Sequence, residues 1–431
     1  MIKHILKNFS SLITGQLIYK IITFFTLMII ARFLGPDGFG KFSYGLSFVW
    51  FFLFIADFGF CELFIRDVAS DKKLLSKYVN NIITLKLLIS FIVYAIVVFL
   101  AFIFAFKTDK FWIILLLGAS VILDSFMYFF RSLFRVKETM GYERVLLVIE
   151  AVLKLLVIFI SSVLGLNFSR VILISFAFLF ISLANLIINW WVFSLQYKEF
   201  VFSVEKKFSL YLLKSAFPFA LIYLLSLFNF RVNVIMLASL KNDTIAGWYS
   251  ADYKLLEQLL IFPMTISFVC LPVFSRLASS LGKINKVIRQ AILFLFLTGM
   301  LIVTLFYFFG TDLIRITFGE GYKTSGNYLF LISLALPLFF IKPVLEKLLY
   351  VLRKQNLLFI IYGLGILVNI ALNLLVIPRW GIAGVSIVTL FSEGLVVFVS
   401  LLMYIRYQMP SYPQQKSLEL SRALINSEIS C

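Results

Sequence analysis

Residues 20–44 read K-I-I-T-F-F-T-L-M-I-I-A-R-F-L-G-P-D-G-F-G-K-F-S-Y. An apolar helix carrying one lysine at mid-depth ends at Arg32, turns through Gly35-Pro36-Asp37-Gly38-Phe39-Gly40, and leads into a second apolar helix. Glycines at 35, 38 and 40 allow positive φ in the turn, and Pro36 keeps the first helix from continuing. The stretch predicts a tight helical hairpin across a membrane. Lys20 is the unexpected residue in it. A lysine at the centre of a span costs about 2.5–3.5 kcal/mol on insertion scales, which marks it as a functional-site candidate.

The pattern returns later in the chain. Gly247-Trp248-Tyr249-Ser250 resembles Gly40-Lys41-Phe42-Ser43, with 247 − 40 = 207, and the helix before it again carries a cation, Arg231. The same offset puts Arg231 opposite position 24, one helical turn from Lys20. We read two homologous halves, each contributing a basic residue from its first helix.

Composition agrees with a membrane protein. Hydrophobic residues make up 62% of the chain, against about 45–50% in soluble domains. Cys61 and Cys270 fall in apolar runs and Cys431 is terminal, so the cysteines do not form a disulfide framework. The single histidine, His4, removes most metal sites and any serine–histidine or cysteine–histidine catalysis. No phosphate-binding loop of the G-x-x-x-x-G-K-[ST] type is present. Asp57-Phe58-Gly59 matches a kinase tripeptide but lacks every companion motif. We expect neither an enzyme nor a cofactor.

Apolar runs predict twelve spans, at roughly 9–33, 42–65, 79–106, 112–134, 145–165, 171–195, 212–240, 247–275, 288–310, 328–352, 357–377 and 382–405. The expected fold class is an all-α polytopic membrane protein with two pseudo-repeated six-helix lobes. The expected domains are an N-terminal lobe over 1–195, a cytoplasmic linker over 196–211, a C-terminal lobe over 212–405 and a loosely ordered cytoplasmic tail over 406–431. Alternate loops collect most of the lysines and arginines, including Lys72, Lys73, Lys77, Arg131, Arg135, Lys206, Lys207 and Arg289. The positive-inside rule then places both termini in the cytoplasm. The net charge of +18 is mostly this topology signal, and nucleic acid is not an expected partner. Pro218, Pro263, Pro272, Pro337 and Pro343 interrupt spans and predict kinks.

Within spans the charges sort by spacing. Glu150–Lys154 and Lys342–Glu346 at i,i+4, and Lys254–Glu257 at i,i+3, predict pairs on common helix faces. Lys20, Lys86 and Arg231 have no acid within one turn of their own helix. Their partners must be another helix, water or an anionic ligand. Lys86 lies nearer the cytoplasmic end, where it can snorkel. Asn229 and Asn233 flank Arg231, where their amides either bond across helices or contact sugar hydroxyls.

Several motifs together resemble the polysaccharide and O-antigen flippase family (Wzx-type), in the superfamily that also holds multidrug and oligosaccharidyl-lipid exporters. They are Ala31-Arg32-Phe33-Leu34-Gly35-Pro36-Asp37-Gly38-Phe39-Gly40, Asp57-Phe58-Gly59-Phe60 with Arg66-Asp67, Gly247-Trp248-Tyr249-Ser250-Ala251, Pro272 with Ser275, and Ile377-Pro378-Arg379-Trp380-Gly381-Ile382-Ala383-Gly384. The resemblance implies two lobes around a central cavity that opens to one side at a time, in the bacterial inner membrane. It implies as substrate an oligosaccharide on a polyprenyl pyrophosphate, moved to the outer leaflet and destined for O-antigen or capsule. Membrane lipids and other polysaccharide assembly proteins are the implied partners. Lys20 and Arg231, with Lys86 and Lys254, would then offset the diphosphate charge, and Asp124, Asp252 or Glu257 would carry a coupling proton. The alternatives are an ion-coupled drug or cation antiporter, which needs a cavity dominated by carboxylates, and a lipid II flippase, which typically has two more helices. A membrane polysaccharide polymerase or ligase would need a large extracytoplasmic domain, and the loop over 311–327 is too short for one.

Overall fold

A computed structural model describes residues 2–164, 169–198, 200–267, 281–351 and 355–408. The helices are α1 (Ile2–Asp57), α2 (Phe60–Ser70), α3 (Leu75–Ala105), α4 (Asp109–Val136), α5 (Met140–Val163), α6 (Arg170–Gln196), α7 (Lys206–Leu240), α8 (Asp243–Leu259), α9 (Leu281–Phe318), α10 (Lys323–Ser333), α11 (Leu336–Val351) and α12 (Gln355–Gln408). Residues 261–267 are also helical. No strand occurs among the described residues. The expected tail from residue 409 onward, and Cys270, Pro272 and Ser275, lie outside them.

Among the described residues seven helices are long and apolar enough to cross a membrane, or eight if α10 and α11, bent by 45°, form one span. Length shows that two of these cross twice. A straight helix of 56 residues, the extent of α1, would run about 84 Å, against a hydrocarbon core of about 30 Å. It turns at Gly35, φ 67°, and Pro36 follows at the start of the next helix, where its missing N–H costs nothing. Helix α12, 54 residues, turns likewise at Gly381, φ 55°, beside Pro378. Adding α7, and α8 with its 261–267 continuation, brings the crossings to twelve. They form two lobes, as the repeat predicted.

Two details correct the sequence reading. Of the three turn glycines only Gly35 has positive φ; Gly38 and Gly40 are helical. The second span does not run unbroken to residue 65. It breaks at Phe58 (φ 51°) and Gly59 (φ 74°), and α2 resumes at Phe60. A Cβ on Gly59 would lie 2.8 Å from the Ala216 carbonyl oxygen of α7, so α7 packs directly against the break.

The end of the bundle that carries the Gly35 turn is called here the hairpin end. The end that carries the 197–205 segment is called the terminus end. One hydrophobic core spans both lobes at the hairpin end, from Ile30, Phe39 and Phe42 to Tyr249, Phe318 and Tyr322. At the terminus end the N-lobe has a core of its own, built on Phe60, Phe64, Phe129 and Phe193, and the first half of α7 joins it through Leu212 and Ala216. The segment before α7 is strapped to α3: the N–H groups of Val201, Ser203 and Glu205 donate to Asn80 Oδ1, Thr84 Oγ1 and Asn81 Oδ1 at 3.3, 3.3 and 2.9 Å. Phe91, Phe99, Phe102 and Phe308 are exposed, as a lipid-facing surface requires.

The lobes meet where α1 crosses α8, and the crossing obeys the repeat. A Cβ on Gly40 would lie 1.7 Å from the Asp243 carbonyl oxygen, and one on Gly247 would lie 1.9 Å from that of Pro36. Since 247 − 40 and 243 − 36 are both 207, the contact is the same one made twice about a pseudo-twofold axis. Only glycine permits backbones to approach this closely. Cross-lobe bonds reinforce it. Lys110 pairs with Asp243 at 2.6 Å, Tyr322 donates to the Ala31 carbonyl at 2.9 Å, and Arg32 Nε donates to the Thr317 carbonyl at 3.0 Å.

Replacing Gly247 with alanine is therefore expected to wedge the hairpin end open. A cysteine placed at Ser43, buried just beneath the crossing, should react with a membrane-impermeant maleimide several-fold faster in the Gly247→Ala protein. Equal rates would show that the crossing does not close this end.

Candidate functional site

A cavity of about 550 Å³ lies on the terminus-end side of the crossing. Helices α1, α2, α4 and α5 supply most of its wall, including Gln16, Tyr19, Lys20, Asp57, Glu62, Tyr128, Arg131, Arg135 and Glu143, and α7 adds Phe219. The α1–α2 break brings Asp57, Gly59, Cys61 and Glu62 to the wall together.

Most charges near the cavity are matched in pairs. Lys86 is fully buried and pairs with Asp57 at 2.8 Å. It does not snorkel, because its carboxylate is on α1 rather than at the membrane surface. Arg135 grips Glu143 with two nitrogens, Nε at 3.0 Å and Nη2 at 2.6 Å. Glu150 takes Lys154 at 2.5 Å, as its spacing predicted, and also Arg131 at 2.7 Å. Tyr19 donates to Glu150 and accepts from Lys154, at 3.1 Å each. The predicted Lys342–Glu346 pair does not form. Lys342 reaches Glu393 on α12 at 3.2 Å, and Glu346 accepts instead from Tyr362.

One place is not balanced. Glu257 on α8 takes Lys254 at 2.5 Å and faces Arg231 Nη2 of α7 at 3.9 Å, beyond hydrogen-bonding reach. Its charge also acts on Lys20 of α1, and among the described residues no carboxylate lies within ion-pair distance of Lys20. Two cations of the C-terminal lobe thus face one carboxylate, and Lys20 of the N-terminal lobe feels its charge. The Arg231 guanidinium lies over the Trp50 ring, 4.9 Å from its centroid. Trp50 and Glu257 are again 207 apart, so equivalent positions of the two lobes hold Arg231 from either side. Lys20 also lines a second, mainly apolar groove of about 420 Å³ with Leu17, Phe24, Phe25, Leu259 and Phe306.

The remaining predicted residues lie apart from this cluster. Asn233 is buried and donates to Tyr249 at 3.1 Å and Thr389 at 3.2 Å, and accepts from Asn373 at 3.0 Å. That is bonding across helices. The Asn229 side chain is outside the described residues. Asp124 accepts from Ser182 at 2.8 Å beside the Glu150–Lys154 pair, and fully buried Asp252 accepts from Ser325 at 2.9 Å. Glu257 is the anion of the cation cluster, unlike these two more isolated carboxylates. Arg131 and Arg135, assigned to loops by the charge count, are wall residues, as is Glu143. The i,i+4 spacing of Arg131 and Arg135 was the available signal.

Twelve crossings in two lobes, with a cavity walled mostly by the N-lobe, make a fold that solved structures share. The chain is similar to a structure described as lipid II flippase MurJ in an inward closed conformation, with TM-score 0.74, 15% identity, and coverage of 91% of this chain and 87% of that one. It is also similar to an inward-facing multidrug resistance MATE family transporter of the MOP superfamily, with TM-score 0.71, 14% identity and 90% and 94% coverage. A third is a MOP superfamily transporter from Pyrococcus furiosus whose description reports a binding pocket of reverse polarity, with TM-score 0.63, 14% identity and 94% and 95% coverage. No curated protein matches the chain. The chain belongs to the polysaccharide biosynthesis protein family, whose model matches residues 5–278, and the family model of lipid II flippase MurJ matches residues 194–425. By the second of these models, which covers more than half of the chain, it is a flippase-family protein.

Removing one member of a buried pair leaves an uncompensated charge, worth roughly 3–5 kcal/mol. Lys86→Met should therefore lower the detergent-solubilised melting temperature more than Lys20→Met does. Asp57→Leu added to Lys86→Met should recover most of the loss. A melting temperature unaffected by Lys86→Met would remove the pair's structural role.

Proposed function

We propose that this flippase translocates polyprenyl-pyrophosphate-linked oligosaccharide repeat units, of O-antigen or capsule type, across the bacterial inner membrane. The terminus end would face the cytoplasm and the hairpin end the outside, consistent with the loop charges. One observation carries the reading: Arg231 and Lys254 face the single carboxylate of Glu257, whose charge also reaches Lys20 of the other lobe. A cluster with excess positive charge in a poorly solvated interior favours an anion strongly, since charges interact far more there than in water. A diphosphate meets that need. The guanidinium of Arg231 and the ammonium groups of Lys20 and Lys254 are suited to phosphate oxygens. The glycan would occupy the cavity beside the N-lobe wall, where Tyr19, Tyr128 and Gln16 offer rings and polar groups.

The antiporter alternative draws on Asp124 and Asp252, buried carboxylates whose side-chain hydrogen-bond donors among the described residues are one serine each. In the flippase reading these become the coupling-ion positions, and membrane lipids and other assembly proteins are the partners.

The test is deletion of the gene in its host, restoring wild type, Lys20→Ala or Arg231→Ala. Lipid-linked oligosaccharide should accumulate inside and surface glycan should fall. Wild type should rescue, and the two variants, expressed at normal level, should not. Unchanged surface glycan without accumulation would transfer the function to the antiporter reading.

A further inference from the structure

Between the cation cluster and the glycine crossing lies a third, smaller pocket, lined by both lobes. Its walls are built from equivalent positions of the two lobes, each pair 207 apart: Ser43 with Ser250, and Ser47 with Lys254. Arg231 also lines it. In this conformation the pocket is a void of about 10 Å³, room for a single water.

Two of its buried donors are unmet. Among the described residues neither Arg231 Nε nor Ser250 Oγ has a hydrogen-bond partner, although Arg231 is 9% exposed and Ser250 3%. Buried polar groups are nearly always bonded, so a pair of unmet donors facing one pocket calls for an explanation. Arg231 cannot turn to Glu257 for relief, since that carboxylate is 3.9 Å from Nη2 and is already held by Lys254. The groups gathered here are a guanidinium N–H, an ammonium and four hydroxyls, of Ser43, Ser47, Ser250 and Tyr253. A guanidinium and an ammonium donate only, and a hydroxyl can donate. That is the composition of an anion site.

We propose that this pocket is a second anion station on the path, distinct from the Lys20 position, where one phosphate-like group is held as it leaves the main cavity toward the hairpin end. Each wall belongs to a different lobe, so the pocket widens when the lobes part at Gly40 and Gly247 and shrinks to one water when they close. The station thus gives its anion a contact in one conformation that is missing in the other, and a ligand shifts a conformational equilibrium only through such a difference. That the anion is the diphosphate of the lipid-linked substrate rests on the flippase reading. The station itself does not.

The experiment uses the full chain in native membrane vesicles, with Cys61, Cys270 and Cys431 replaced by alanine and a cysteine introduced as Ser250→Cys, or as Ser47→Cys on the opposing wall. An anionic and a cationic methanethiosulfonate of equal size are compared, with and without inorganic pyrophosphate. Either cysteine should react about tenfold faster with the anionic reagent, as expected for attraction by one poorly screened charge. Pyrophosphate should slow that reaction, and Arg231→Gln should abolish the preference. A lack of anion preference, or a lack of protection by pyrophosphate, would mean the pocket holds only a structural water. Failure of both cysteines to react from either side would overturn the station as well, because a station on the path must be reached. Binding of farnesyl diphosphate to Lys20→Ala is read separately. If it persists undiminished, the lipid-diphosphate reading fails while the station stands or falls on its own result.

Discussion

The arrangement depends on two helix backbones approaching more closely than any side chain allows. At Gly40 and Gly247 the carbonyl oxygens of Asp243 and Pro36 occupy the volume where a Cβ would be. In a lipid phase, where apolar side chains gain little from leaving one apolar medium for another, close packing of small residues is a principal source of helix association. Once this contact forms, the other features of the hairpin end follow. The lobes share one core, Lys110 reaches Asp243, Arg32 and Tyr322 bond across the lobes, and empty space is displaced toward the terminus end.

Charge is handled on a similarly strict principle. Each buried ion near the cavity wall is given a partner from another helix or the next turn: Asp57 with Lys86, Arg135 with Glu143, and Glu150 with both Arg131 and Lys154. Pairing recovers much of the cost of removing ions from water, and it leaves those groups little to offer a ligand. Against that background the cluster at Glu257 stands out because it is incomplete. It draws on the other lobe through Lys20, so its electrostatics depend on the angle between the lobes, and positive charge is in excess there.

The repeat links these two themes. Gly40 and Gly247, Pro36 and Asp243, Ser43 and Ser250, and Trp50 and Glu257 are all 207 apart, and all lie along the axis relating the lobes. Symmetry is kept where backbones touch and is broken where chemistry is needed. Position 50 is an aromatic ring and position 257 a carboxylate, and Arg231 lies between them.

Much of this was legible from the chain alone, because it depends on local rules. Apolar run length determined the number of crossings, the Gly35-Pro36 stretch the hairpin, the spacing of Glu150 and Lys154 and of Lys254 and Glu257 their pairing, and the repeated glycine motif the two lobes. A lysine at mid-span marked Lys20 before any contact was known. What only the tertiary structure decided was who meets whom across helices. Lys342 prefers Glu393 to the acid one turn away, Lys86 is taken by Asp57, and Arg131 and Arg135 face a cavity instead of a loop. The second span breaks at Phe58 and Gly59 because α7 presses against it there. Such choices depend on distances between segments far apart in sequence, and those distances are set by how the helices pack, which no window of the sequence contains.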